Sequence, residues 1–224
     1  MMDFYNYDDL TMNDKWKVTI YPFFDSHILC VDNIYRNPKK VYEYVSQCPI
    51  VSLKPNTKGS LNGESFYDGQ HYANLRFDTR REVLFAKICE FYKIEMGENF
   101  DLNPFSIFNQ FKLLKNHPGH PYFWNPHVDH NLNVLIYLNP DENFSPGTSI
   151  YTGTTRGRAE LTKDGESDSE HTDPWKDPSY FQEELCILSR FNSLVAFPGQ
   201  WPHGQTIVDN RYTKKTRITE VTFF

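Results

Sequence analysis

The stretch PYFWNPHVDHNLNVLIYLNPD, residues Pro121 to Asp141, decides how this chain is read. It sets His127, Asp129 and His130 within four residues, directly before the run NVLIYLN. That run is short, apolar and rich in β-branched residues, and it reads as a buried strand. Alternate residues of an extended chain face the same way, so His127 and Asp129 can converge on one point while His130 turns away. Taken alone, this is an ordinary polar turn before a strand. It becomes two-thirds of a metal site only if a third ligand lies further along.

Downstream, SLVAFPGQWPHGQ supplies that ligand. His203 follows a strand and a Pro-Gly turn, where a side chain can be aimed into a cavity. Two imidazoles and a carboxylate form a borderline N/O donor set, suited to Fe(II), Mn(II), Co(II) or Zn(II) rather than Ca(II), with three coordination positions left open. Arg217 opens the last strand, RITEVTFF, and shares a face with Thr219. An Arg inside a β core requires a partner. A dicarboxylate that chelates the metal at one end supplies that partner at the other, and the planar fork of Arg suits a carboxylate.

Working outward, KVTIYPFF and HILCVDNIY read as early strands. RNPKKVYEYVSQC reads as a helix capped by Asn37, with Pro38 at its first position. SLKPNTKGSLNGESFYDGQHYANL reads as a Gly-, Asn- and Ser-rich loop. A second helix is expected from about Asp78 to Lys93, capped by Asp78 or Thr79, with Leu84, Ile88 and Phe91 forming a core-facing stripe. After Gly97 the pattern is all strand: FSIFNQFKLLK, NVLIYLN, TSIYTG, SLVAFPG and TRITEVTFF. Gly153 to Glu184 holds nine acids against four Lys and Arg, and reads as a polar insertion, a candidate lid rather than a domain. These elements make an α+β, mainly β chain with helices packed on a sandwich or barrel. One domain over 1–224 is expected, with 1–100 as helical and strand support and 101–224 as barrel core.

Composition narrows the functions. The 224 residues are 39% hydrophobic and 16% aromatic, enough for a sizeable core. A net charge of -6 argues against nucleic acid as the partner, since duplex binders show a basic face. The four cysteines form no CxxC pair, which points to buried thiols in a reducing compartment. Neither a signal peptide nor a membrane-spanning run is visible, so a cytoplasmic location is expected.

In sequence order, His127-Val128-Asp129, Tyr137-Leu138-Asn139, Gly147-Thr148, the strand Leu194 to Phe197, His203 and Arg217 resemble the 2-oxoglutarate- and Fe(II)-dependent oxygenases, nearest to the prolyl-4-hydroxylase-like branch. The likeness covers about Phe105 to Phe224. It implies a double-stranded β-helix, a jelly-roll or cupin-like barrel. It implies His127, Asp129 and His203 as Fe(II) ligands and Arg217 as anchor for the far carboxylate of 2-oxoglutarate. By position, Tyr137 resembles a tyrosine that also meets this co-substrate, with Thr219 assisting Arg217. The implied reaction consumes O2 and 2-oxoglutarate, releases succinate and CO2, and hydroxylates an unactivated C–H of a peptide or small molecule. Three features depart from the branch, one being a stretch between His203 and Arg217 a few residues longer than in the oxygen-sensing enzymes. The anchor is Arg, as in the oxygen-sensing prolyl hydroxylases, where the collagen type has Lys. Pro146-Gly147 also stands where Gly-Gly is usual.

Other candidates rank lower. Arg211 rivals Arg217 but sits in a polar turn, where solvation is expected. Trp124 and Trp201 lie within three residues of the proposed ligands, as walls of a substrate pocket or as packing at the barrel end. His117 and His120 flank a turn, and His27, His71 and His171 lack a partner at ligand spacing. NPHVDH also resembles the HxHxDH of metallo-β-lactamase-type hydrolases, but Asn125 replaces the first His and a strand follows where that fold has a helix. The alternative from another class is a non-catalytic, cupin-like metal or small-molecule binding module.

Overall fold

The computed structural model describes residues 11–47, 60–61, 64–65, 67–72, 79–93, 105–113, 126–129, 132–140, 144–158, 178–206 and 208–223. The protein is mainly β, with antiparallel sheets and few helices. A seven-stranded sheet carries β1 (Lys17–Phe23), β2 (Ser26–Asp32), β5 (Tyr67–Tyr72), β6 (Phe105–Leu113), β7 (Leu132–Tyr137), β10 (Ser193–Pro198) and β12 (Arg217–Phe223). Its order is β1-β2-β10-β7-β12-β6-β5. A three-stranded sheet, β11-β8-β9, is built from β8 (Ser145–Gly153), β9 (Phe181–Ser189) and β11 (His203–Gln205). A two-residue pair joins β3 (Ser60–Leu61) and β4 (Glu64–Ser65).

The strands expected from alternation and β-branched composition are present, and both helices form. Helix α1 (Pro38–Gln47) begins on the proline, and the Asn37 carbonyl accepts the N–H groups of Lys40 and Val41. Helix α2 (Thr79–Phe91) buries Leu84 and Ile88 as the stripe requires, with Phe85 and Cys89 widening the buried face. Asp78, an expected cap, lies outside the described residues.

Two expectations need correction. The Gly- and Asn-rich loop holds β3, β4 and β5, and β5 pairs with β6 from Tyr67 opposite Leu113 to Tyr72 opposite Phe108. The acidic insertion gives up its last four residues to β9, where Phe181 pairs with Gly153 and Glu183 with Tyr151. In both places the hydrogen-bond ladder of a neighbouring strand outweighs local composition, as strand formation generally allows.

Burial explains the layering. Every residue of β7 and β10 is buried, so both faces of the large sheet are covered there. On one face Leu132, Val134, Ile136, Leu194 and Ala196 meet Val41, Val45, Leu84, Phe85 and Ile88 of the helices. On the other, Leu135, Tyr137, Val195 and Phe197 meet Ile150 of β8, with Leu185 and Ile187 of β9 alongside. Each such side chain contributes about 1.5–3 kcal/mol by leaving water. The site lies in this second layer, between the sheets.

The segment 126–129 belongs beside the small sheet, because His127 bridges to His203 through both backbone hydrogen bonds, at 2.8 and 2.9 Å. From β6 onward the chain therefore alternates: large sheet (β6), small (His127), large (β7), small (β8, β9), large (β10), small (β11), large (β12). The strands β1, β2 and β5 extend the same large sheet at its two edges. No helix among the described residues is long and apolar enough to cross a membrane.

Candidate metal centre

Three backbone contacts aim the candidate ligands at one point. The paired hydrogen bonds between His127 and His203 bring two segments 76 positions apart side by side. The Asp129 N–H then donates to the Gly199 carbonyl at 2.8 Å, tying the His-Val-Asp segment to the Pro-Gly turn. One ligand atom each from His127, Asp129 and His203 lies within 4.8 Å of the others. His203 Nε2 is 3.3 Å and His127 Nε2 3.9 Å from Asp129 Oδ2. The two rings stand 4.5 Å apart, centroid to centroid. His203 is 2% exposed and stacks edge-on with Phe197, while His127 and Asp129 reach solvent.

The tautomer of His203 follows from its second nitrogen. Nδ1 lies 2.7 Å from the Trp201 carbonyl, which can only accept, so Nδ1 carries the proton and Nε2 keeps its lone pair. That lone pair and the Asp129 carboxylate face each other. Two imidazole nitrogens and one carboxylate oxygen on one side of a point are the donor set that Fe(II) and its neighbours take.

Arg217 lies on the inner face of β12, 6% exposed. Its position is set by Asn139, whose amide donates to the Thr216 carbonyl at 2.8 Å and accepts from the Ile218 N–H at 2.6 Å, clamping the backbone on both sides. The guanidinium donates to Gln205 Oε1 at 3.2 Å and to the Gly147 carbonyl at 3.1 Å, and lies 6.0 Å from the Tyr137 ring centroid. All three are neutral. Among the described residues no carboxylate comes within ion-pair distance of Arg217. Among the described residues, then, this buried cation is held by neutral acceptors, and a buried cation is stabilised by a paired anion.

Gln205 was missed in the sequence, although it had a signal, and Gly147 entered there only as part of the Gly147-Thr148 stretch, without its contact to Arg217. Gln205 lies two residues beyond His203 in a strand, hence on the same face, and about 7 Å along it. That is the length scale of a short dicarboxylate spanning the His203 end and the guanidinium. Gly147 is forced by space: a Cβ there would stand 2.8 Å from Ser189 N and 2.9 Å from Ile187 O, at a bulge of β8.

No model of a known protein family matches the chain, and no curated protein matches it. The remaining site residues are placed by the fold alone. Tyr137 is buried opposite Thr219, and its hydroxyl donates to Thr148 Oγ1 at 2.8 Å. Burial pushes the Tyr137 hydroxyl up to about 12, against the pull of Arg217 and of the Thr148 bond, so it stays neutral. The hydroxyls share one bond, and either can turn its proton into the cavity if the other donates. Thr219 is buried two residues from Arg217. Trp201 packs between the sheets with its Nε1 on Asp25, and its carbonyl orients His203. Arg211 forks onto Asp209 and bonds Ser145, in a partly exposed turn. Trp124, His117, His120 and His130 lie outside the described residues.

Asn133 also escaped notice in the sequence. It occupies the inner face of β7 at 3% exposure, with Nδ2 at 2.6 Å from Asp129 Oδ2 and 2.7 Å from His203 Nε2. Its Oδ1 is buried without a hydrogen-bond partner.

Proposed function

We propose that this chain is a 2-oxoglutarate- and Fe(II)-dependent oxygenase that hydroxylates a C–H bond of a peptide or small molecule on a double-stranded β-helix. The observation that carries this reading is the pairing of two features: a His-Asp-His set facing one point, and a buried guanidinium on Gln205, two residues beyond His203, that has no carboxylate partner among the described residues. The alternation of eight consecutive strand segments between two sheets supports the barrel.

In this reading His127, Asp129 and His203 hold Fe(II), and Arg217 binds the distal carboxylate of 2-oxoglutarate. The bound metal supplies the activation of O2 that oxidises both the oxo acid and the substrate. The chain's own residues bind, orient and exclude water. Trp201 keeps the lone pair of His203 directed at the ion. Gln205 and Gly147 hold the guanidinium fork, and Tyr137 and Thr148 offer neutral hydroxyls beside it. Phe197, Leu135 and Ile150 keep the space between the sheets apolar.

The test is anaerobic addition of Fe(II) and 2-oxoglutarate, followed by air. A weak visible charge-transfer band and succinate release are expected for the wild type. His127→Ala and His203→Ala should lose both. Succinate release at wild-type rate from either variant would refute the assignment. Metal uptake by the wild type without the band or succinate would favour the binding-module alternative.

A further inference from the structure

We infer that Asn133 is a positioning residue that exchanges His203 for the chelating carboxylate of the oxo acid when the site is loaded. The inference rests on the oxygenase reading and names a role for a residue outside its ligand set.

An imidazole nitrogen has one in-plane lone pair. His203 Nδ1 is committed to the Trp201 carbonyl, so the lone pair of Nε2 is the one that Asn133 Nδ2 approaches at 2.7 Å. A cation on His203 requires that same lone pair. Loading therefore breaks the Asn133–His203 hydrogen bond. A carboxylate oxygen has two lone pairs, so the 2.6 Å bond to Asp129 Oδ2 can persist beside a metal. Asn133 then keeps its place, anchored by Asp129, with one N–H released next to the ion.

At 3% exposure that N–H has little water to turn to, and Oδ1 is already without a partner. A buried amide with its carbonyl and one N–H unpaired is costly, so a ligand that accepts from that N–H is favoured. An oxygen of a ligand held by an ion on His203 and Asp129 would be able to accept from it. A chelating 2-oxo acid would offer a carboxylate oxygen for that purpose. Asn133 would thus read the near end of the dicarboxylate as Arg217 reads the far end.

The test uses the full chain with Co(II), which requires no turnover. Co(II) is titrated by calorimetry, then 2-oxoglutarate is titrated into the Co(II)-saturated protein and followed by the visible Co(II) absorption. Asn133→Leu, close in size and without polar atoms, should bind Co(II) as well as wild type or more tightly, and should bind 2-oxoglutarate about tenfold more weakly. Asn133→Ser, smaller and still a donor, should recover part of the oxo-acid affinity at unchanged thermal stability. The inference is overturned if both variants lose Co(II) affinity while their 2-oxoglutarate affinity stays at the wild-type value. It is equally overturned if neither affinity moves. Failure of wild-type protein to take up Co(II) would overturn both this role and the oxygenase reading.

Discussion

Arg217→Met should weaken 2-oxoglutarate binding and stabilise the ligand-free protein, and the opposite signs make it the most informative substitution. The guanidinium uses two of its five N–H groups on Gln205 and Gly147, which leaves enough for a bidentate grip on a carboxylate. Charge-assisted bonds are worth about 1.5–3 kcal/mol each. A charge pair ~4 Å apart at an effective dielectric of about 20 is worth ~4 kcal/mol. A loss of about 3–4 kcal/mol, a few hundredfold in Kd, follows once partial rehydration is allowed. Stability should move the other way. The Gly147 carbonyl also accepts the Thr206 N–H at 3.1 Å, and Gln205 is only partly buried. Removing the cation therefore orphans neither acceptor and relieves a buried charge, for a gain of about 1–2 kcal/mol. In a chain of this size that raises Tm by roughly 3–6 °C. The assay is a 2-oxoglutarate titration of the Co(II)-loaded variant beside a thermal melt of the metal-free protein. Wild-type affinity in the variant, or a lowered Tm with unchanged affinity, would make Arg217 a structural residue and sink the reasoning.

Three further outcomes are expected. Asn192 sits at φ 63 and stands in for a strand, accepting from Tyr35 N–H at 2.7 Å and donating to its carbonyl at 2.9 Å; Asn192→Ala should lower stability by about 3 kcal/mol in urea unfolding, and an unchanged midpoint would refute the clamp. Gly147→Ala must push strand β8 away from Ser189 and Ile187, so it should destabilise by about 2 kcal/mol and weaken 2-oxoglutarate binding, whereas equal affinity would show that the carbonyl holding Arg217 had not moved. Stability should fall in base: burial pushes the Cys30 thiol from 9.0 up to about 11, so its contribution is full below pH 9 and lost between 9 and 11, and Tyr137 extends the loss from 10 to 12. The slope is about 1.4 kcal/mol per pH unit for each group, and Cys30→Val should make the profile shallower above pH 9; superimposed profiles would refute it.

The amino-acid sequence on its own determined the local facts. Its period-2 apolar runs marked β1, β2, β6, β7, β8, β10 and β12, because a half-buried strand must alternate and a fully buried one must be apolar throughout. Pro38 and the Leu84–Ile88 stripe marked the helices. The spacing of His127 and Asp129 puts both on one face of an extended segment. Tertiary structure alone decided the rest. The strands β5 and β9 exist because β6 and β8 offer them hydrogen-bond ladders, a long-range contribution that Gly, Asn and acidic residues conceal locally. His203 meets His127 only through a backbone bridge between segments far apart in the chain. Asn133 looked like one more residue of an apolar strand until the inward face of β7 was known. Whether Arg217 had a partner was equally illegible, since an ion pair depends on which side chains share a cavity, and that is fixed by how the two sheets close on each other.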